Sequence, residues 1–252
     1  MRARTIVLAL GALLASAAPA LAAEVRVLSA GAMKAMVTEL SEGFHKETGH
    51  TVVITSDTGG GLRKRVEGGE KADVLVAPDA AMDALVKSNH AVAATRADLA
   101  RTAIGVAVRQ GAPQPDISTV DAFKRALLEA KSIVYNDPAI GATSGIHFAS
   151  VLERLGIAEA VKPKTVLWKG GYAAEALLKG QAELCVHQIS EILPVKGVTL
   201  VGPLPAEINK ITTYTGALLA SGPSPDAGRA FLAYLARPEF RPKFAAAGLD
   251  YQ

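Results

Sequence analysis

Two histidines are the side chains of this sequence best placed to move a proton. His147 falls in the first turn of a predicted helix over residues 145–155, and His187 ends a predicted strand over residues 183–187. An imidazole titrates near neutral pH, so it can act as an acid or a base, and it also serves as a structural hydrogen-bonding group. Both interpretations stay open for both residues. Metal binding is not expected, because the spacing of the five histidines matches no zinc-ligand pattern.

Three turns of small residues could hold an anion. They span residues 29–33, 56–61 and 137–145, and each lies between a predicted strand and a predicted helix. The first backbone N–H groups of a helix have no intrahelical partner and lie at the positive end of the helix dipole. The three turns together therefore predict an anion site built largely from backbone. The glycines at 59–61 are not a nucleotide loop, because the Lys-Ser/Thr ending is missing.

Two basic side chains follow these turns. Lys34 and Arg63 lie one turn into the first two predicted helices, from where they could reach an anion. Most of the basic run 63–65 must face solvent, since three consecutive residues cover most of a helix circumference. No Gly-x-Ser-x-Gly nucleophile motif is present. Cys185 lies in an apolar run typical of a buried strand, which favours a packed thiol over a reactive one.

Apolar residues predict strands and helices in alternation. Strands are predicted over residues 25–28, 51–55, 73–77, 104–108, 132–135, 183–187, 198–201 and 213–220, and helices over 32–46, 62–67, 79–87, 120–130, 145–155, 172–179, 225–236 and 238–246. This alternation predicts mostly parallel sheets flanked by helices. The pattern restarts after residue 103, so we predict two α/β lobes, residues 23–103 with 212–252 and residues 104–211. A ligand would bind between them, at the carboxyl ends of strands.

The N-terminus predicts export. Arg2 and Arg4 precede an apolar run over residues 5–18 and the sequence Ala-Leu-Ala at 20–22, the pattern of a secretory signal peptide. We predict cleavage after Ala22 and a periplasmic protein. The apolar run is shorter than the roughly 20 residues that span a bilayer, and no cysteine follows it, so no membrane anchor is expected.

The charge balance argues against nucleic acid as a partner. The formal net charge is +3, and without Arg2 and Arg4 there remain 25 basic and 24 acidic residues. Nucleic-acid binding needs a concentrated basic surface, which this balance does not supply. The composition, 50% hydrophobic and 20% charged, is typical of a globular protein. We expect a monomer without a cofactor.

Three stretches of the sequence resemble the periplasmic molybdate-binding proteins of ABC importers. They are Ser-Ala-Gly-Ala-Met at 29–33, the segment 56–79 from Ser-Asp-Thr-Gly-Gly-Gly to Val-Ala-Pro-Asp, and Asn-Asp-Pro-x5-Ser-Gly-Ile-His at 136–147. The resemblance runs from Val25 to the C-terminus. It implies a two-lobe periplasmic-binding-protein fold whose cleft closes on a small oxyanion. It also implies a small anionic ligand and an ABC permease as partners.

The family's ligand contacts are only partly present in this chain. The family holds its oxyanion with backbone N–H groups, two serine hydroxyls and a tyrosine. The serine positions fall on Ala32 and Gly59, the tyrosine position on His187, and backbone-donor positions on Ser144 and near Gly171. A desolvated dianion needs a nearly complete shell of donors, so these losses and the basic side chains nearby favour an organic polycarboxylate over molybdate. The predicted ligand-binding residues are Ala32, Met33, Lys34, Gly59, Gly60, Arg63, Thr143, Ser144, Tyr172 and His187.

Two functions fit this prediction. The first is a solute-binding protein that captures a polycarboxylate for an ABC importer and releases it unchanged. The alternative is an aconitate isomerase, because enzymes of this kind also resemble molybdate-binding proteins and interconvert trans- and cis-aconitate without a cofactor. Such an allylic proton shift needs a base, an acid and cations near the carboxylates. His147 and His187 would then move the proton, and Lys34 and Arg63 would hold the carboxylates.

Overall fold

A computed structural model describes residues 22–250, which form an α/β protein. The predicted signal peptide, apart from Ala22, lies outside these residues. The strands are β1 (Glu24–Ala30), β2 (Thr51–Asp57), β3 (Val74–Pro78), β4 (Ala97–Thr102), β5 (Ile104–Arg109), β6 (Ile133–Asn136), β7 (Thr165–Trp168), β8 (Leu184–Gln188), β9 (Val198–Pro203) and β10 (Thr212–Leu218).

Helices follow most of these strands, but none lies between β4 and β5 or between β9 and β10. They are α1 (Gly31–Thr48), α2 (Gly59–Glu67), α3 (Asp79–Lys87), α4 (Val120–Glu129), α5 (Thr143–Arg154), α6 (Ala158–Val161), α7 (Glu175–Leu178), α8 (Ile189–Ile192), α9 (Pro225–Leu235) and α10 (Arg241–Ala246). Single 3₁₀ turns lie at Ala93–Thr95, Pro138–Ile140, Lys162–Lys164 and Pro238–Phe240. Within residues 22–250, no helix is both long enough and apolar enough to span a membrane.

The strands form two five-stranded sheets with the same wiring. Their orders are β2-β1-β3-β10-β4 and β7-β6-β8-β5-β9. Each sheet has two parallel and two antiparallel pairings, so the sheets are mixed rather than mostly parallel as predicted. The antiparallel pairings are made by β10 and β5, the strands that follow a crossing from the other sheet. We call the unit around the first sheet lobe 1 and the unit around the second lobe 2.

Two strands are not predicted from the apolar pattern of the sequence. They are β4 and β7, and each is an edge strand of its sheet. β4 carries Asp98 and Arg101 among its apolar residues, and β7 has only four residues, of which Leu167 is 45% exposed. Edge strands are often short and polar because one flank faces solvent, which weakens the pattern that identifies a strand.

Each lobe has its own apolar core. In lobe 1, Phe44 of α1 packs edge-on against Phe231 of α9, with ring centroids 5.0 Å apart. In lobe 2, two clusters contain Phe148 and Leu177 respectively. Cys185 of β8 is fully buried, and burial raises the pKa of its thiol, which keeps it neutral. Its environment is that of a packed thiol.

The chain crosses between the lobes twice, and one amide joins the two crossings. The Oδ1 atom of Asn209 accepts a hydrogen bond from the backbone N–H of Ile104 at 3.0 Å. Its Nδ2 atom donates to the carbonyl oxygens of Ile104 and Leu204, each at 3.1 Å. Residue 104 begins lobe 2 after the first crossing, and residues 204–209 belong to the second, so the side chain holds the two segments together.

Candidate functional site

A cavity of about 590 Å³ lies between the lobes. Lobe 1 contributes Ala30, Gly31, Ala32, Lys34, Ser56, Asp57, Thr58, Gly59, Arg65, Pro78 and Tyr214, and lobe 2 contributes Asn136, Ile140, Ala142, Thr143, Ser144, Lys169, Gly170, Gly171, Tyr172, Glu175, Gln188 and Glu191. The volume falls in the usual range of small-molecule sites, about 300–1,000 Å³. The cavity lies where β1, β2, β6 and β8 end, as the alternation of strands and helices predicts.

The three helices that follow the predicted anion-binding turns, α1, α2 and α5, begin at this cavity. The N-cap residues of α1 and α5 are Ala30 and Ala142, and neither provides a side-chain cap. Thr58 caps α2, because its Oγ1 atom accepts a hydrogen bond from the backbone N–H of Gly61 at 3.0 Å. The first turns of α1 and α5 therefore offer uncapped N–H groups at the positive end of a dipole, the backbone arrangement that binds anions.

Two lysines face the cavity from opposite lobes. Lys34 lies in the first turn of α1, and Lys169 follows the end of β7. Both are exposed, and neither has an acidic partner within 4.0 Å among residues 22–250. Arg65 is different, since it is already paired with Asp57 at 2.8 Å and with Glu70 at 2.9 Å. The unpaired positive charge of the cavity is thus divided between the lobes.

Glu191 places a buried carboxyl group in the same cavity. Its side chain is 10% exposed, and its Oε1 atom lies against the first residue of α1, where a Cβ on Gly31 would come within 2.6 Å of it. Its nearest basic side chain is His187, with Oε1 and Nε2 3.6 Å apart. Burial raises the pKa of Glu191 to about 8, so the carboxyl group is mostly protonated at neutral pH.

His187 lies behind the cavity wall rather than in it. The residue is 0% exposed, and its Nδ1 atom is 3.2 Å from the Oγ atom of Ser144. Burial lowers the pKa of His187 to about 4, although a hydrogen bond with the backbone of Gly171 works in the opposite direction. Its imidazole is therefore neutral near pH 7. The 3.6 Å contact with Glu191 joins two neutral groups and is too long for a good hydrogen bond.

Several polar groups of the wall are available to a ligand. The buried atoms Ser56 Oγ, Asn136 Oδ1 and Gln188 Oε1 have no hydrogen-bond partner within the described chain. The amide nitrogen of Gln188 donates to Tyr214 at 3.4 Å and so links β8 of lobe 2 to β10 of lobe 1. Burial, followed by the charge of Glu191, raises the pKa of Tyr214 well above its usual value and that of Tyr172 by less. Both phenols therefore act as hydrogen-bond groups in the neutral form.

The lobes touch at the edge of this cavity. The Oγ1 atom of Thr58 donates to the carbonyl oxygen of Ile140, and the N–H of Gly60 donates to that of Gly141 at 3.1 Å. A Cβ on Gly60 would lie 2.8 Å from the Cα of Gly141. We call these two hydrogen bonds the interlobe latch. At Gly60 and Gly141 the backbones of the two lobes are in direct contact.

The predicted ligand-binding residues divide into two groups. Those that line the cavity are Ala32, Lys34, Gly59, Thr143, Ser144 and Tyr172. Those that do not are Met33, Gly60, Arg63 and His187, to which the predicted proton carrier His147 must be added.

The residues of the second group make other contacts in the structure. Met33 is buried in the core of lobe 1, Gly60 belongs to the latch, and Arg63 is paired with Glu67 at 2.8 Å. The Nε2 atom of His147 lies 2.8 Å from the carbonyl oxygen of Ile208 in the second crossing, and burial lowers the pKa of this histidine. Ligand contact by these residues remains a prediction.

Glu191, Lys169 and Gln188 are the cavity residues of interest that the sequence analysis does not identify. A signal for two of them exists in the stretch Gln-Ile-Ser-Glu-Ile at residues 188–192, which follows directly on a predicted strand. Acidic residues are rarely buried, so a glutamate between isoleucines at a strand end is a site candidate. Lys169 carries no comparable signal, because the short edge strand before it is not predicted.

These features define a class of protein: two lobes of equal wiring with an anion-binding cleft between them. The chain belongs to the family of bacterial extracellular solute-binding proteins, whose family model matches residues 25–250. The periplasmic molybdate-binding protein of Azotobacter vinelandii superposes with a TM-score of 0.76 at 20% identity, covering 90% of this chain and 99% of that one. The prediction of a two-lobe periplasmic-binding-protein fold is thereby confirmed.

Individual relatives confirm the predicted resemblance. An aconitate isomerase of a Pseudomonas species is 35% identical over 252 residues, which cover 96% of this chain and 95% of the relative. The molybdate-binding protein ModA of Escherichia coli K12 is 27% identical over 220 residues, covering 86% of this chain and 84% of that protein.

Proposed function

We propose that this protein captures a small polycarboxylate in the cleft between its lobes. The observation that carries the proposal is the pair Lys34 and Lys169, which face one cavity from opposite lobes without acidic partners in the described chain. The uncapped starts of α1 and α5 add backbone donors beside them. Carboxylates at the two ends of one ligand would meet positive charge in both lobes, which favours closure on the ligand.

A compact oxyanion such as molybdate fits this cavity less well. Ala32 and Gly59 stand where the resemblance to molybdate-binding proteins calls for serine hydroxyls, and both line the cavity. A buried dianion would lose two donors there, and each unmatched charge interaction is costly.

Two fates of the bound ligand are compatible with this proposal. Delivery to an ABC importer after export by a cleaved signal peptide is supported by membership of the solute-binding family. Isomerisation of aconitate is supported by the relative at 35% identity and by the carboxyl group of Glu191, a proton-carrying group among anion-binding groups. An importer needs no such group, so the second fate has a specific observation in its favour.

Binding is tested with the purified chain lacking residues 1–22. Thermal shift and calorimetry are run with citrate, trans-aconitate, cis-aconitate and molybdate. We expect the three organic acids to raise the melting temperature and molybdate to leave it unchanged. A shift with molybdate alone would overturn the proposal, as would no shift with any of the organic acids.

A further inference from the structure

Glu191 is a buried carboxylic acid in a cleft whose other groups favour anion binding. It lies on α8, the single helical turn after β8, and its side chain is 10% exposed. Its Oε1 atom is held between the start of α1 at Gly31 and the imidazole of His187. An ionised carboxylate at this place would repel a bound polycarboxylate, so a purely anion-binding cleft would gain from an uncharged residue.

Among the buried titratable groups around this part of the cavity, Glu191 is the one whose pKa lies near neutral pH. His187 lies 3.6 Å from its Oε1 atom. Cys185, Tyr172 and Tyr214 lie close enough for the charge of Glu191 to raise their pKa values. Lys34 and Glu175 line the same cavity. Burial keeps His187 unprotonated and keeps the thiol and both phenols protonated. The carboxyl group of Glu191 is left with a pKa of about 8, close to working pH, where a general acid–base group is most effective.

We propose that Glu191 is the acid–base group of an allylic proton shift on an unsaturated polycarboxylate bound in this cavity. The inference rests on the proposed capture of a polycarboxylate. It assigns the proton transfer to a residue of the cavity wall instead of to His147 and His187.

The step balances without any further reactant. The ionised carboxylate of Glu191 takes a proton from the CH₂ group next to a ligand carboxylate, and the C–H electron pair forms a new C=C bond to the central carbon. The electron pair of the old C=C bond moves to the far carbon, which takes the proton back from Glu191. The intermediate is a dienolate, whose extra negative charge Lys34, Lys169 and the N–H groups of α1 and α5 are placed to stabilise.

His187 is a positioning residue in this reaction. It does not line the cavity, and its Nδ1 contact with Ser144 fixes the ring so that Nε2 faces Oε1 of Glu191. A neutral imidazole there limits where the carboxyl group can lie without taking its proton.

The test separates binding from proton transfer. Wild type, Glu191→Gln and Glu191→Asp are incubated with trans-aconitate in D₂O, and deuterium at the allylic carbons and conversion to cis-aconitate are followed by NMR. Glu24→Gln is the matched control, since this exposed glutamate on β1 lies outside the cavity. We expect wild type and the control to exchange and convert. We expect Glu191→Gln to lose a hundredfold or more in both, the usual scale of general acid–base catalysis.

A second variant, Gly31→Ala, tests whether a loss of activity could come from a folding defect. In Gly31→Ala the new methyl group would displace the Oε1 atom of Glu191, which is the end of a flexible side chain, so the fold is expected to survive. Exchange should fall at least tenfold while the ligand-induced melting shift remains. If wild type binds trans-aconitate but neither exchanges nor converts it, the assignment of Glu191 is wrong while the proposed capture stands. Full exchange in Glu191→Gln would have the same meaning. Absence of any ligand-induced shift would instead overturn the proposed capture.

Discussion

The two lobes share one strand order but contribute different groups to the cavity. The order of β2-β1-β3-β10-β4 in lobe 1 repeats as β7-β6-β8-β5-β9 in lobe 2. In lobe 1 the strand ends lead into α1 and α2, which bring backbone N–H groups and Lys34 to the cavity. Lobe 2 adds α5 and Lys169 but also a proton-carrying side chain. The sheets fix where a ligand lies, and the connections after the strands decide what happens to it.

One pair of equivalent positions shows this difference between the lobes. β3 ends at Pro78 and β8 at Gln188, and these are the third strands of their sheets in the shared order. Three residues past each strand end lie Ala81 in lobe 1 and Glu191 in lobe 2. Ala81 packs against the lobe 1 core, whereas Glu191 lines the cavity. The residue at this position therefore packs against the core in lobe 1 and is the proposed acid–base group in lobe 2.

The largest expected effect on ligand affinity comes from removing the positive charge of either lobe. Lys34→Met and Lys169→Met should each weaken polycarboxylate binding roughly tenfold or more, because each removes a charged hydrogen-bond donor from the closed cavity. Calorimetry with citrate measures this. Lys46→Met is the control, since Lys46 is an exposed residue in the last turn of α1. If Lys169→Met binds like wild type, lobe 2 contributes no charge and the proposed division between the lobes is wrong.

A smaller effect on ligand affinity is expected from the interlobe latch, to which both lobes contribute. In Gly60→Ala the added Cβ would come within 2.8 Å of the Gly141 backbone, so the lobes cannot approach as closely. We expect affinity to fall several-fold and the ligand-bound protein to remain more open in small-angle X-ray scattering. Gly202→Ala is the matched control, because its Cβ would meet nothing nearer than Ile117 at 3.7 Å. Equal scattering curves for both liganded variants would remove the latch from the closure mechanism.

The smallest effect is a pH dependence of stability that belongs to lobe 2 alone. Folding raises the pKa of Glu191 from an ordinary value of 4.5 to about 8, so its stabilisation is lost as pH rises through that interval. Folding lowers the pKa of His187 from 6.5 to about 4, so its stabilisation is lost as pH falls below 6.5. The two trends oppose each other below pH 6.5, and only the first acts between pH 6.5 and 8.

Melting temperatures of the ligand-free protein check this dependence. Between pH 6.5 and 8, wild type should lose a few degrees relative to Glu191→Gln. The other titratable groups around Glu191 are common to both proteins and cancel in the comparison; they are Lys34, Glu175, Tyr172, Tyr214 and Cys185. Parallel curves for the two proteins would mean that Glu191 is not buried in its protonated form.

The part of the site that the sequence predicts is the part encoded locally. A strand, a turn of small residues and a helix are adjacent in the chain, so Ala32, Gly59 and Ser144 could be placed at strand ends without knowing the tertiary structure. The carboxyl group of Glu191 depends on contact with Gly31, 160 residues earlier in the chain. Sequence periodicity carries no information about such a contact.

The histidines illustrate the same limit. His147 follows the anion-binding turn of α5 closely, yet its ring points to the carbonyl oxygen of Ile208 in the crossing between lobes. The direction of a side chain on a helix relative to a distant segment is a tertiary property. The fold class was predictable because the alternation of strands and helices recurs throughout the chain. The mixed character of the sheets was not, because it arises from where β5 and β10 insert.

The amide of Asn209 restricts the mechanics of opening. Its three hydrogen bonds fasten residue 104 to the second crossing segment on the lobe 2 side, so the two segments cannot slide past each other without breaking them. Sliding is thereby opposed, which favours bending at the two crossings over a shear between the lobes. The lobes should consequently separate by a hinge motion at the crossings.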